Sequence, residues 1–144
     1  MNRLDIRYVE GLPEASKWLN LRKLVGFNAY NRPLDIAQRG LDNSLYGVSV
    51  YDGDKLIGMA RVIGDGYTCF YVQDVLVNPE YQGLGIGKSI MKKIIEFLDN
   101  VDQDAIVALM SSKGREGFYE QFGFIRRPND NYGCGMIKLR KGRE

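Results

Sequence analysis

The sequence has no histidine among its 144 residues. That absence removes the commonest general base and the usual activator of a serine or cysteine nucleophile, leaving proton transfer to a carboxylate, a phenol, a thiol, an amine or water. Cysteine is almost as scarce. Cys69 and Cys134 stand alone, without Cys-x-x-Cys spacing, which argues against a zinc site; no metal is expected, and two isolated thiols read as reduced in a cytoplasmic protein. No apolar run approaches the length of a membrane span, and MNRLDIRYVEGLPEASKW carries charges where a signal peptide has its apolar stretch, so no membrane partner is expected. Charge of one sign is also lacking: 20 basic against 18 acidic side chains argue against nucleic acid as the main partner, while a local anion site stays open. With no repeat, low-complexity tract or linker, residues 1–144 read as a single domain, long enough for a hydrophobic core.

What is present alternates between strand and helix signals. LDIRYV, residues 4–9, suggests a first strand. Pro13 opens a helix whose apolar face comprises Ala15, Trp18, Leu19, Leu21, Leu24 and Val25, and Pro33 opens a shorter one with Leu34, Ile36, Ala37 and Leu41. LYGVSVY and KLIGMARVIG flank Asp52-Gly53 as a hairpin, and TCFYVQDVLV, residues 68–77, completes an antiparallel meander. Ile86, Ile90, Met91, Ile94, Phe97 and Leu98 follow a 3.6-residue period, and AIVALM, residues 105–110, has the continuous apolar character of a buried central strand. REGFYEQF predicts a short helix, followed by FIRRP and a last strand at GMIKLR. The order implies a single-domain mixed α/β sheet, mostly antiparallel, with a central parallel pair joined by the helix at 86–98.

The helix at 86–98 is entered through NPEYQGLGIG, three glycines in five positions. Glycines at a helix entrance let backbone N–H groups converge on an anion that the helix dipole also favours. A P-loop requires glycine where Gln82 stands, and a dinucleotide fingerprint requires glycine where Lys88 stands, so neither is met. Gln/Arg-x-x-Gly-x-Gly/Ala is met by Gln82, Gly85 and Gly87. With Gly117-Phe118-Tyr119-Glu120-Gln121-Phe122-Gly123-Phe124 downstream, the sequence resembles the GNAT superfamily of acyl-CoA-dependent N-acetyltransferases along nearly the whole chain. The alternative is structural: glycines that permit close helix–sheet packing, and Phe118, Tyr119 and Phe124 as core aromatics.

The resemblance implies the GNAT fold, helices on both faces of the sheet, and a splay between the strands at 68–77 and 105–110. It implies acetyl-CoA as co-substrate, its diphosphate cradled by the backbone of Gly83, Leu84, Gly85, Ile86 and Gly87, with Gln82 and Lys88 at the rim. Pantetheine would bond the strand edge at Leu76 and Val77, one of which would also donate to the thioester oxyanion; Ser112 and Phe118 complete the cofactor set. Tyr119 occupies the position of the residue that faces the CoA sulfur, a candidate general acid. Asp74, a carboxylate in a mainly apolar strand, is a candidate base beside water, and equally a structural ion-pair partner. Ser112 and Arg115 depart from the Asn and Ala common in the family, which puts contacts to the distal part of CoA in doubt. Tyr30, Tyr67, Asp130 and Tyr132 are candidates to frame a cationic acceptor amine. The leading reading is acetylation of a small-molecule primary amine; a peptide or protein amine, a non-catalytic acyl-CoA sensor and a nucleotide-binding protein are the competing ones. Dimers are frequent in the resembling family.

Overall fold

A computed structural model describes residues 4–27 and 32–140, which fall into two compact units, Met1–Leu109 and Met110–Glu144. In the first unit β1 (Ile6–Glu10) leads to α1 (Ala15–Val25) and α2 (Leu34–Asp42). The meander β2 (Tyr46–Asp52), β3 (Lys55–Gly64) and β4 (Cys69–Val77) follows, then a 3-10 turn at Pro79–Tyr81, α3 (Ile86–Leu98) and β5 (Ile106–Leu109). The sheet order is β1-β2-β3-β4-β5, with every neighbouring pair antiparallel except β4 and β5.

Local chemistry explains where the elements begin and end. Pro33 sits at the N-cap of α2 with φ fixed near its helical value. Gly26 ends α1 at φ 106°; its N–H donates to Lys23 O and that of Phe27 to Arg22 O, the paired bonds of a Schellman closure. The β2–β3 register pairs Asp52 with Lys55, so the turn's central residues are Gly53 and Asp54, with positive φ (59°) at Gly53 only. Glycine at the first central position is what a type II′ hairpin turn requires.

Helices cover both faces of the sheet, and two adjacent residues of β3 demonstrate it. Met59 is fully buried in one cluster with Trp18 and Leu21 of α1, Ala37 and Leu41 of α2, and Leu76 of β4. Its neighbour Gly58 points the other way: a Cβ there would meet Ile90 Cδ1 at 3.2 Å and Ile86 Cγ2 at 3.4 Å, both on α3.

The apolar run at 105–110 does not form a buried central strand. β5 is the edge of the sheet, and Ile106 is 65% exposed. The expected last strand at GMIKLR is also not formed. In the second unit α4 (Glu116–Glu120) is followed by residues without strand pairing through 140, and Ile125, Met136, Ile137 and Leu139 are exposed. A strand requires a partner edge, and apolar content alone does not provide one. Residues 129–132 instead close a tight turn, in which the Asn129 side chain accepts from the N–H groups of Asn131 and Tyr132.

Candidate active site

The glycine turn sits between β4 and α3. Asn78, almost wholly buried, accepts from the N–H of Glu80 through its side chain and so starts the 3-10 turn, after which Gly83 (φ 83°) and Gly85 (φ 76°) take left-handed conformations. A Cβ at either glycine would meet nothing within 4 Å. Close packing therefore does not account for Gly83 and Gly85; backbone conformation does, and the space beside them is open. Gly85 is the N-cap of α3 and has no side-chain cap, and the first turn holds no acidic residue. The first α3 bond runs from the N–H of Ser89 to Gly85 O, so the N–H groups of Ile86, Gly87 and Lys88 have no carbonyl of the helix to donate to. Three orphan donors at the positive end of a 13-residue helix form a cradle suited to an anion.

β4 supplies the second component. It pairs with β5 only from Cys69↔Ile106 to Val72↔Leu109, so residues 73–77 lie beyond that pairing. A bulge follows directly. On the β3 side Met59 faces Leu76 and Arg61 faces Gln73, which sets Asp74 and Val75 together against Ala60, and Asp74 has φ 56°, the one described non-glycine residue with positive φ. The bulge also reverses the faces. Phe70 packs edge-on against Phe97 of α3, whereas Asp74 and Leu76, of the same sequence parity, turn toward α1. Asn78 N–H donates to Ile57 O, and antiparallel alternation then directs the N–H of Val77 away from β3, toward the side where β5 has stopped. Of the pair Leu76 and Val77, it is Val77 that presents its N–H there.

Asp74 has its two carboxylate oxygens occupied: Arg22 Nη1 lies 2.5 Å from Oδ1 and Arg61 Nε 2.9 Å from Oδ2, with the Asp74 side chain 1% exposed. Arg61 also donates from Nη1 to Gly40 O and Ser44 Oγ. The geometry is that of a buried ion-pair network, the structural role weighed for this residue, and offers no uncommitted oxygen for a base. Trp18, the single tryptophan, lies against this network: the Arg61, Arg22 and Arg32 guanidinium carbons are 5.0, 5.9 and 5.9 Å from its ring centroid. Sequence reasoning missed Arg22 and Arg61. The available signal was Asp74 itself, since a carboxylate in a buried strand needs a cation, and Arg22 follows Trp18 by one helical turn.

The remaining expected residues are dispersed. Tyr67, 79% exposed, lines a cleft of about 400 Å³ with Phe97 and Val101, at the C-terminal end of α3. The glycine turn is at the other end of that helix, about 20 Å away at the rise of an α-helix. Tyr30 lies outside the described residues. In the second unit Ser112 O accepts from the N–H of Arg115, the N-cap residue of α4. Phe118 meets Tyr119 and Phe122 edge-on, at 5.1 and 5.4 Å between centroids, and Tyr119 meets Phe124 at 6.3 Å. Burial pushes the Tyr119 phenol above its ordinary value, with Arg115 opposing, so the group stays protonated at neutral pH. Asp130 and Tyr132 lie on the exposed 129–132 turn, where Arg127 stacks over the Tyr132 ring at 5.3 Å. Among the described residues no group of three or more His, Cys, Asp or Glu side chains could hold a metal, and no helix is long and apolar enough to cross a membrane.

The uncapped N-terminus of α3 and the β4 edge beyond its pairing with β5 follow one another along the chain, joined by the turn at 78–85. Residues 12–124 match the Acetyltransferase (GNAT) family, and the chain belongs to that family. An uncharacterized ycf52-like N-acetyltransferase of Prochlorococcus marinus is 35% identical over 104 residues, covering 69% of this chain and 57% of that protein. GCN5-related N-acetyltransferase 1 of Arabidopsis thaliana, a chloroplastic protein, is 37% identical over 87 residues, covering 60% of this chain and 43% of its own. The chain thus spans about half the length of these curated relatives. A probable acetyltransferase of unknown function from meticillin-resistant Staphylococcus aureus has a structure with TM-score 0.82 and 32% identity, covering 94% of this chain and 100% of that one.

Proposed function

We propose that the protein transfers an acetyl group from acetyl-CoA to the primary amine of a small molecule, by direct attack in a ternary complex. The observation that carries this reading is the continuity of the open β4 edge, residues 73–77, with the uncapped N-terminus of α3. In this reading the backbone N–H groups of residues 83–88 bind the diphosphate, and the edge from Val75 to Val77 bonds the pantetheine amides.

The acceptor nitrogen, once deprotonated, attacks the thioester carbon; the oxyanion that forms accepts from Val77 N–H, a donor worth about 3 kcal/mol in such a role. Collapse breaks the C–S bond and releases CoA thiolate, which takes a proton from Tyr119 as its place in the family motif implies; the proton that the attacking nitrogen sheds as it becomes an amide passes to water, and solvent returns one to the Tyr119 phenolate. Water removes the amine's proton, because the Asp74 oxygens are committed to Arg22 and Arg61. No acyl-enzyme is needed, so neither Cys69 nor Cys134 has a role. The family match runs across the boundary between the two compact units, which supports their working as one transferase domain.

The test is release of free thiol from acetyl-CoA across a panel of amines, read against hydrolysis without acceptor. Saturable, amine-dependent release supports the reading. Tight acetyl-CoA binding with no turnover of any small amine refutes it, and turnover of peptide amines alone moves the assignment to a protein acetyltransferase.

A further inference from the structure

The network around Trp18 contains more positive charge than its structural task requires. One buried carboxylate, Asp74, is already satisfied by two guanidiniums, Arg22 and Arg61. Arg32 brings a third to the same indole and has no ion pair among the described residues. Among the described residues one carboxylate faces three guanidiniums at this indole, and the positive charge that Asp74 does not balance is left to solvent or to an anion. The cations are not equivalent. Arg61 is committed to Asp74, Gly40 O and Ser44 Oγ. Among the described residues Arg22 spends one bond on Asp74 and keeps the rest of a five-donor fork, and it stacks over the partly exposed Phe27 ring at 5.0 Å. A further donor lies in the cluster: Trp18 Nε1 is buried without a hydrogen-bond partner among the described residues.

The position of this cluster is as informative as its charge. Asp74 is the bulge residue of β4, three positions before Val77, so the guanidiniums it holds, those of Arg22 and Arg61, adjoin the part of β4 along which acetyl-CoA is proposed to lie, and Arg32 shares the Trp18 ring with them. Building on that transferase reading, we infer that the acceptor amine carries a carboxylate or phosphate group a few bonds from its nitrogen, and that Arg22 and Arg32 bind this anion beside Trp18. The acceptor class is then a compact amino acid or amino phosphate; polyamines and neutral amines are excluded by repulsion or by the lack of a partner for the arginines.

Matched pairs test this: glycine against glycinamide and phosphoethanolamine against ethanolamine as acceptors, and N-acetylglycine against N-acetylglycinamide as ligands in a thermal shift with CoA present. The anionic member of at least one acceptor pair is expected to have the higher kcat/KM, by about 10- to 100-fold, the range of one charge-assisted hydrogen bond. Arg32→Met, at an exposed residue without an ion pair among the described residues, is expected to remove most of that preference through KM and to leave the Kd for acetyl-CoA unchanged; Arg22→Met serves as the second variant. Equal turnover within both pairs overturns the inference and leaves the transferase reading intact. So does a preference that survives both substitutions, or an Arg32→Met effect confined to acetyl-CoA. Selective, Arg32-dependent stabilisation by N-acetylglycine without turnover of any amine upholds the anion site while the transferase reading falls. Neither turnover nor selective stabilisation overturns both.

Discussion

Gly85→Ala separates the two demands on the glycine turn. At φ 76° an alanine side chain costs about 1–2 kcal/mol relative to glycine, from the contact of Cβ with the carbonyl oxygen. Steric cost against the rest of the protein adds nothing, because no atom lies within 4 Å of the built Cβ. The free protein should therefore fold, with stability lowered by that amount alone. Acetyl-CoA should suffer more: the methyl enters the space where the account places diphosphate oxygens, and losing one charge-assisted hydrogen bond there costs about 1.5–3 kcal/mol, a 10- to 100-fold rise in Kd. Urea unfolding reads the first effect and titration calorimetry with acetyl-CoA the second. Gly26→Ala is the control, since Gly26 also has positive φ (106°) and open space but closes α1. It should lose comparable stability with unchanged Kd. Wild-type affinity in folded Gly85→Ala, or equal losses of affinity in both variants, would refute the reasoning.

Tyr119→Phe should lower kcat by about 10²- to 10⁴-fold, the range of a general acid, with little change in the Kd of acetyl-CoA. Because burial raises this phenol's pKa, it is competent below that value and fails as pH rises through it, so the alkaline limb of kcat should vanish in the variant; an unchanged pH profile would remove the assignment. Asp74→Ala leaves Arg22 and Arg61 without their carboxylate, at side-chain exposures of only 17% and 11%, and should destabilise the fold by about 3–5 kcal/mol in urea unfolding. A loss below about 1 kcal/mol would mean that the network is not structural. Asp65 is held well below its ordinary value of 3.8 by the Thr68 hydroxyl first, and then by the N–H groups of Tyr67, Thr68 and Cys69. Its folded pKa is depressed, so its contribution is present above about pH 4 and lost as pH falls through the folded value; the stability advantage of wild type over Asp65→Asn should shrink on acidification, and a constant difference contradicts the bond pattern.

The architecture of the first unit was legible because its signals are local. Pro33 sets the entry of α2, a glycine turn joins β2 to β3, and a strict 3.6-residue period marks α3, which runs from Ile86 to Leu98 as expected. The bulge was not legible. CFYVQDVLV carries no glycine, proline or turn signal at its centre, and only the register against β3 reveals that Asp74 and Val75 share one partner and that Asp74 turns toward α1. For the same reason the arginines were missed: Arg22 and Arg61 are 39 residues apart in sequence and come together at Asp74 and Trp18 only in the fold. AIVALM and GMIKLR failed differently, since apolar composition reports a preference for burial and says nothing of whether a neighbouring edge is present. The glycine motif was legible as the entrance of α3, and the open space at Gly83 and Gly85 removes close packing as the reason for glycine at those two positions.

The most direct measurement is a titration of the ¹⁵N-labelled protein with CoA, followed by amide chemical shifts. The account places the largest shifts at Gly83, Leu84, Gly85, Ile86, Gly87 and Lys88, with a second group at Val75–Val77 along the strand edge. Saturating shifts elsewhere, with the amides of residues 83–88 unmoved, would contradict it.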